Sequence, residues 1–227
     1  MTGGNRFDFL VIKNFSVSVS ANVLIMIAFI NNLFTNVDVV LKFSINHVII
    51  YKWSNIMDVE TLQFYAQYNS DVNRNMDSLI MQLSEDQWNQ QFSGYFNSVR
   101  SLCNHIYTCD FNWLMRFSLF REFNYPTDTE IPNGLEFGKM QIGNTQDYLN
   151  KRVWLDKKII EFTKELNEDD LKQDLRYTDS HGIIYERNYG RLILHMFNHE
   201  THHRGMISIY LEEMKIENDF SNIYDYI

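Results

Sequence analysis

From Asp58 onward, Leu62, Tyr65, Tyr68, Val72, Met76, Leu79 and Leu83 recur at steps of three and four residues. That period marks one face of a long α-helix, which must be buried against other elements. Asp58 stands where a cap is needed, and Glu60 suits the positive end of the helix dipole. The rest of the chain can meet this demand. Hydrophobic residues make up 45% of it and aromatic residues 15%, so a substantial core is available. Only two prolines interrupt 227 residues, a length that suits one good-sized domain or a domain with an extension.

Further helices follow the same signals. Ser84-Glu85-Asp86-Gln87 is a capping-box pattern that opens a short turn carrying Trp88, and Gly94 ends it. Ser98 starts a helix to about Leu119, with Leu102, His105, Ile106, Cys109, Trp113 and Phe117 on its inner face. Residues 120 to 144 hold both prolines and three glycines, and so form a long crossover or one wall of a pocket. Thr145 is expected to cap a third long helix, with Tyr148, Leu155, Ile159, Phe162 and Leu166 inward. Two short β-prone runs flank Thr178-Asp179-Ser180-His181-Gly182 and predict a small hairpin with His181 exposed in its turn. Tyr189 to about Met214 is the fourth long helix, with Leu192, Met196, Met206, Ile209 and Tyr210 as its apolar members. The expected fold is all-α: a four-helix bundle with a long crossover and a hairpin before the last helix.

Residues 1–56 differ in character. No charge occurs between Asn14 and Val37, but Ser16, Ser18, Ser20, Asn22, Asn31, Asn32 and Asn36 interrupt that run, which leaves only Val23 to Ile30 strongly apolar. Polar amides are costly in lipid, so a membrane anchor is disfavoured. An upstream translation ahead of a natural start at Met57 is the favoured reading, with an ordered extension also open. The expected domains are an N-terminal extension, 1–56, and a metal-binding helical domain, 57–227. The net charge of −9 argues against a nucleic-acid surface. Cys103 and Cys109 fit neither a CxxC site nor a disulfide framework, and read as buried thiols of a cytoplasmic protein.

Four of the seven histidines fall between Leu194 and Met206. His195, His199 and His203 recur every fourth residue and share a helix face. Two imidazoles one turn apart can grip a divalent ion, and nitrogen donors suit zinc, nickel, copper or iron. The plainer reading is a histidine-rich surface helix, so a ligand from another helix decides. His105 is that group if the second and fourth long helices face each other. Three neutral imidazoles leave a position open, as in catalytic rather than structural sites. The expected metal ligands are therefore His105, His199 and His203. His195 is a neighbour or a fourth ligand, and His202 points about a hundred degrees away from His203. Asn198, Glu200 and Thr201 are candidates to orient an imidazole or a bound water. No catalytic residue is assigned; the candidates are Glu200 and Arg204. His199-Glu200-Thr201-His202-His203 also spells the zinc-protease motif His-Glu-x-x-His, but no third histidine follows it.

Asn198-His199-Glu200-Thr201-His202-His203-Arg204-Gly205-Met206 resembles the C-terminal signature of the DinB/YfiT-like family. Ser101-Leu102-Cys103-Asn104-His105-Ile106, followed by Trp113, resembles its upstream histidine motif. Met206 departs from the glutamine usual in the family. The resemblance spans about residues 57 to 227. It implies an up-down-down-up four-helix bundle, with a divalent metal, zinc or nickel, on His105, His199 and His203. Family members of known activity are thiol-dependent, and many have no known reaction. The implied function is transfer of a low-molecular-weight thiol to an electrophilic small molecule by a homodimer. The alternatives are a non-catalytic, stress-associated metal-binding protein and, behind it, a zinc hydrolase of the His-Glu-x-x-His type.

Overall fold

The computed structural model describes residues 10–11, 39–44, 47–52, 58–125 and 134–226. The uncharged stretch 14–37, the start at Met57 and both prolines lie outside them. The chain divides into two compact units, Met1–Ile56 and Met57–Ile227.

In the first unit, strands β1 (Leu10–Val11), β2 (Val39–Ser44) and β3 (His47–Lys52) form an antiparallel sheet with β3 in the middle. The register sets Val39 opposite Lys52 and Ser44 opposite His47. These strands are an addition to the expected all-helical plan.

The second unit is mostly helical. Helix α1, Val59–Ile80, starts where Asp58 accepts the Thr61 N–H at 2.8 Å. The short helix α2, Glu85–Asn89, opens on the capping box of Ser84 and Gln87 and buries Trp88. Helix α3, Val99–Phe117, is capped by Ser98, whose hydroxyl accepts the Ser101 N–H. Helix α4, Thr145–Glu165, is capped by Asn144, one residue before the Thr145 read from the sequence. A short 3-10 turn, Asp170–Lys172, leads into strands β4 (Asp174–Thr178) and β5 (Ile184–Asn188), the expected hairpin. Helix α5, Tyr189–Glu213, follows directly, its start capped by Asn188. Among the described residues no helix is long and apolar enough to cross a membrane.

Helix α1 packs on α4 and α5, and α3 packs on the same two helices. One core runs between them, including Leu62, Met76, Leu102, Phe117, Leu155, Phe162, Phe197 and Ile207. Both cysteines are buried and free. Ile209, expected inside, is 54% exposed, so the apolar face of α5 is narrower than its sequence suggests.

The core also holds ions. The Arg152 guanidinium, fully buried, meets Asp110 at 2.7 Å, Asp156 at 2.6 Å and Glu200 at 3.3 Å. Arg204 meets Glu200 at 3.3 Å and donates to Asn69 at 2.7 Å. Asn73 donates to Asp156 at 3.1 Å. Burial and the neighbouring Glu200 push Asp110 well above the usual carboxylate range. Burial raises Asp156 to about 6 against the pull of Arg152. Burial acts upward on Glu200 too, but Arg152 and Arg204 hold it below its ordinary value. At neutral pH two guanidiniums then face two ionised carboxylates and one protonated acid, a balance that lets charge stay in an apolar interior.

Candidate metal centre

Helices α3 and α5 run antiparallel, and this direction makes the site. His105 lies opposite His199, and Phe117 near the end of α3 lies against Tyr189 at the start of α5. His105, Cys109 and Trp113 descend one face of α3, while His203, His199 and His195 descend the facing side of α5.

His199 lies between two other imidazoles. His199 Nε2 lies 3.2 Å from His105 Nε2 and 3.1 Å from His203 Nε2. Metal–imidazole bonds of about 2.0–2.1 Å at tetrahedral angles set neighbouring nitrogens about 3.3 Å apart, close to this spacing. The protonation state suits the same use. Burial lowers the pKa of His105. Burial and then the neighbouring His105 lower His199 to about 4, and burial and then His199 lower His203 to about 3. All three rings are therefore neutral near pH 7, with lone pairs free to bind a cation. The Nδ1 atoms of His199 and His203 are buried without a hydrogen-bond partner, so no protein group fixes those tautomers. By spacing and charge state, the donor set fits a divalent ion.

Cys109 joins the cluster, one turn after His105. Its Sγ, a His105 nitrogen and a His199 nitrogen lie within 4.8 Å of one another, a group able to hold an ion. The sulfur is 3.6 Å from both His105 nitrogens. A sulfur in the ring plane at equal distance from both would press on the carbon between them, so the thiol lies over the ring face. Burial pushes it up to about 12, which keeps it a neutral thiol in the absence of a cation.

The surroundings are aromatic. Phe96 stacks on His105 with ring centres 4.2 Å apart and meets His203 edge-on at 5.4 Å. Tyr210 holds this cover in place: its hydroxyl donates to the Phe96 carbonyl at 2.7 Å, and its ring stacks on Phe92 at 4.2 Å. Gly94 lies between, where a Cβ would collide with the Tyr210 hydroxyl. On the opposite side Trp113 meets His195 edge-on at 5.5 Å. Phe96 thus closes one flank of the cluster.

The other sequence candidates are dispersed. His195 and His202 are exposed, and neither is packed into the core. Glu200 and Arg204 are 0% and 1% exposed, within the ion network on another face of α5. Asn198 is exposed, and Thr201 receives an Arg204 N–H at 3.1 Å. His181 is in the hairpin turn and exposed, as expected. Sequence reasoning placed Cys109 on the inner face of α3 without joining it to the histidines, although its position one turn from His105 was a readable signal. Phe96 and Tyr210 had no such signal, because they pair across 114 residues of sequence.

These features define a class: a helical protein with a candidate metal-binding group between two antiparallel helices. Residues 57–216 match the sequence model of the DinB family. The chain belongs to the DinB family. Its structure is similar to that of a DinB-like protein, YjoA, from Bacillus subtilis, with a TM-score of 0.50 and 18% identity over 70% of this chain and 94% of that one. At such identity the likeness speaks to fold alone. No curated protein matches the chain.

Proposed function

We propose that His105, His199 and His203 hold a divalent metal, zinc or nickel, and that the site transfers a low-molecular-weight thiol to an electrophilic small molecule. The approach of the neutral His199 Nε2 to those of His105, at 3.2 Å, and His203, at 3.1 Å, supports this reading. A bound ion would supply Lewis acidity that favours the deprotonated, nucleophilic form of a thiol at neutral pH. The chain's own residues do the rest. The histidines present their lone pairs without first losing protons. Phe96 keeps water from one flank of His105. Glu200 and Arg204 tie α5 to α1, α3 and α4 and so orient His199 and His203. Complete burial of Glu200 speaks against a general base of the His-Glu-x-x-His type, which must reach substrate or water.

The same reading includes the up-down-down-up four-helix bundle. Its support is the set of contacts between helices. Asn73 meets Asp156 and Gln63 meets Thr163, as in antiparallel α1 and α4. Asp110 meets Arg152 and Phe117 meets Phe162, as in parallel α3 and α4. A cytoplasmic homodimer completes the proposal, resting on the family resemblance and on two free thiols.

The test is metal content after purification. His105→Ala and His199→Ala are each expected to lose the metal while far-ultraviolet circular dichroism stays unchanged. Full occupancy in either variant sinks the assignment. Incubation of the loaded protein with a small thiol and an electrophile then tests for transfer.

A further inference from the structure

Beyond the histidine cluster, α3 carries an arginine with no ion-pair partner among the described residues; the acidic charge acting on it is that of Asp179. The Arg116 guanidinium carbon lies 5.0 Å from the centre of the Trp113 ring and 5.7 Å from that of Tyr177. The side chain is half-buried, and burial lowers its pKa. Among the described residues the ion-paired arginines are Arg74, Arg121, Arg152 and Arg204, and Arg116 is not one of them. Nor does its guanidinium donate a hydrogen bond to any described residue.

Arg116 faces a cleft of about 450 Å³ between the C-terminal half of α3, residues 134–137 and the hairpin turn. Two carboxylates also line it, and both are engaged. Glu136 pairs with Lys139 at 2.5 Å. Asp179 accepts the backbone N–H groups of His181 and Ile183, each at 2.9 Å. Aromatic rings lie within cation–π distance of the guanidinium, and its five edge donors remain for a planar or tetrahedral anion. Beside it, Met115, Leu119 and Phe137 give the cleft an apolar wall, with Leu119 68% and Phe137 39% exposed.

We propose that Arg116 is the centre of an anion-binding subsite that takes the carboxylate or phosphate group of a small molecule with an apolar body. The guanidinium grips two anionic oxygens as a fork, and the apolar wall receives the remainder of the ligand. Partial burial strengthens the contact, because little water competes for the charge. The subsite lies eleven residues after His105 along α3, about 16 Å of helix, and Trp113 spans part of that interval. It requires no metal, so it stands independently of the function proposed for the histidines.

Isothermal titration calorimetry of the full, metal-free chain tests it, with benzoate and inorganic phosphate as probes. The wild type is expected to bind at least one of them saturably. Arg116→Gln should weaken that binding by about tenfold or more, the loss expected for a charge-assisted hydrogen-bonded pair. Arg116→Lys keeps the charge without the fork and should retain part of the affinity. Arg116→Gln should also keep full metal content, which separates this failure from a failure of the histidine site. A response to benzoate alone assigns carboxylates as the ligand class, and a response to phosphate alone assigns phosphates. Absence of saturable binding in the wild type, or unchanged binding in Arg116→Gln, overturns the proposal.

Discussion

Asp77 lies on the buried face of α1, 2% exposed, and its Oδ1 has no hydrogen-bond partner. Burial and the nearby Asp156 charge raise its pKa to about 8. In the unfolded chain an aspartate titrates near pH 4. Between about pH 4 and pH 8 the folded state therefore holds a proton that the unfolded state has released. Its contribution is complete below the unfolded value and is lost as pH rises through 8. We expect a loss of up to about 1.4 kcal/mol per pH unit in that window, and a flatter profile in Asp77→Asn. Urea unfolding at pH 5, 6, 7 and 8 checks this; an identical slope in the variant would refute it. The histidines show what was legible at this scale. Their spacing on one helix face was visible in the sequence, as was the inward position of His105. That the Glu200 side chain points into an ion network was not, because its partner Arg152 lies on α4 with no spacing rule linking the two.

At the scale of elements, α4 joins α3 to α5 through one side chain. Arg152 meets acidic side chains from α3, from α5 and from its own helix, and offsets the charge of the two that are ionised, Glu200 and Asp156. Removing one partner of a buried ion pair leaves charge uncompensated in the interior. Arg152→Met is therefore expected to cost about 3–5 kcal/mol, read as a lower urea midpoint; a loss below about 1 kcal/mol would show that the network relaxes or hydrates. The helices themselves were readable, since Asp58, Ser84 and Ser98 announce their starts and the apolar period marks their faces. Two details escaped. Asn144 rather than Thr145 caps α4, because either side chain satisfies the same rule and backbone geometry selects one. Ile209 is exposed because period shows which side of a helix is apolar, not how wide a strip its neighbours cover.

The whole molecule consists of two compact units, and the core, the ion network and the histidine cluster all belong to Met57–Ile227. A protein comprising 57–227 alone is expected to unfold in one cooperative transition and to bind metal as the full chain does. Circular dichroism melting and metal analysis check this, and a fragment that fails to fold would show that the first unit is required. The sequence by itself determined the four long helices, the hairpin and the two histidine-bearing faces. These follow from local rules, in which period, caps and turn residues act within a few positions. Only the tertiary structure decided that α3 meets α5 with His105 opposite His199, that Phe96 covers them, and that Glu200 turns inward to Arg152. Apart from the stacking of Phe96 on the nearby His105, those contacts join residues far apart in the chain, and their geometry comes from helices packing on one another around one core.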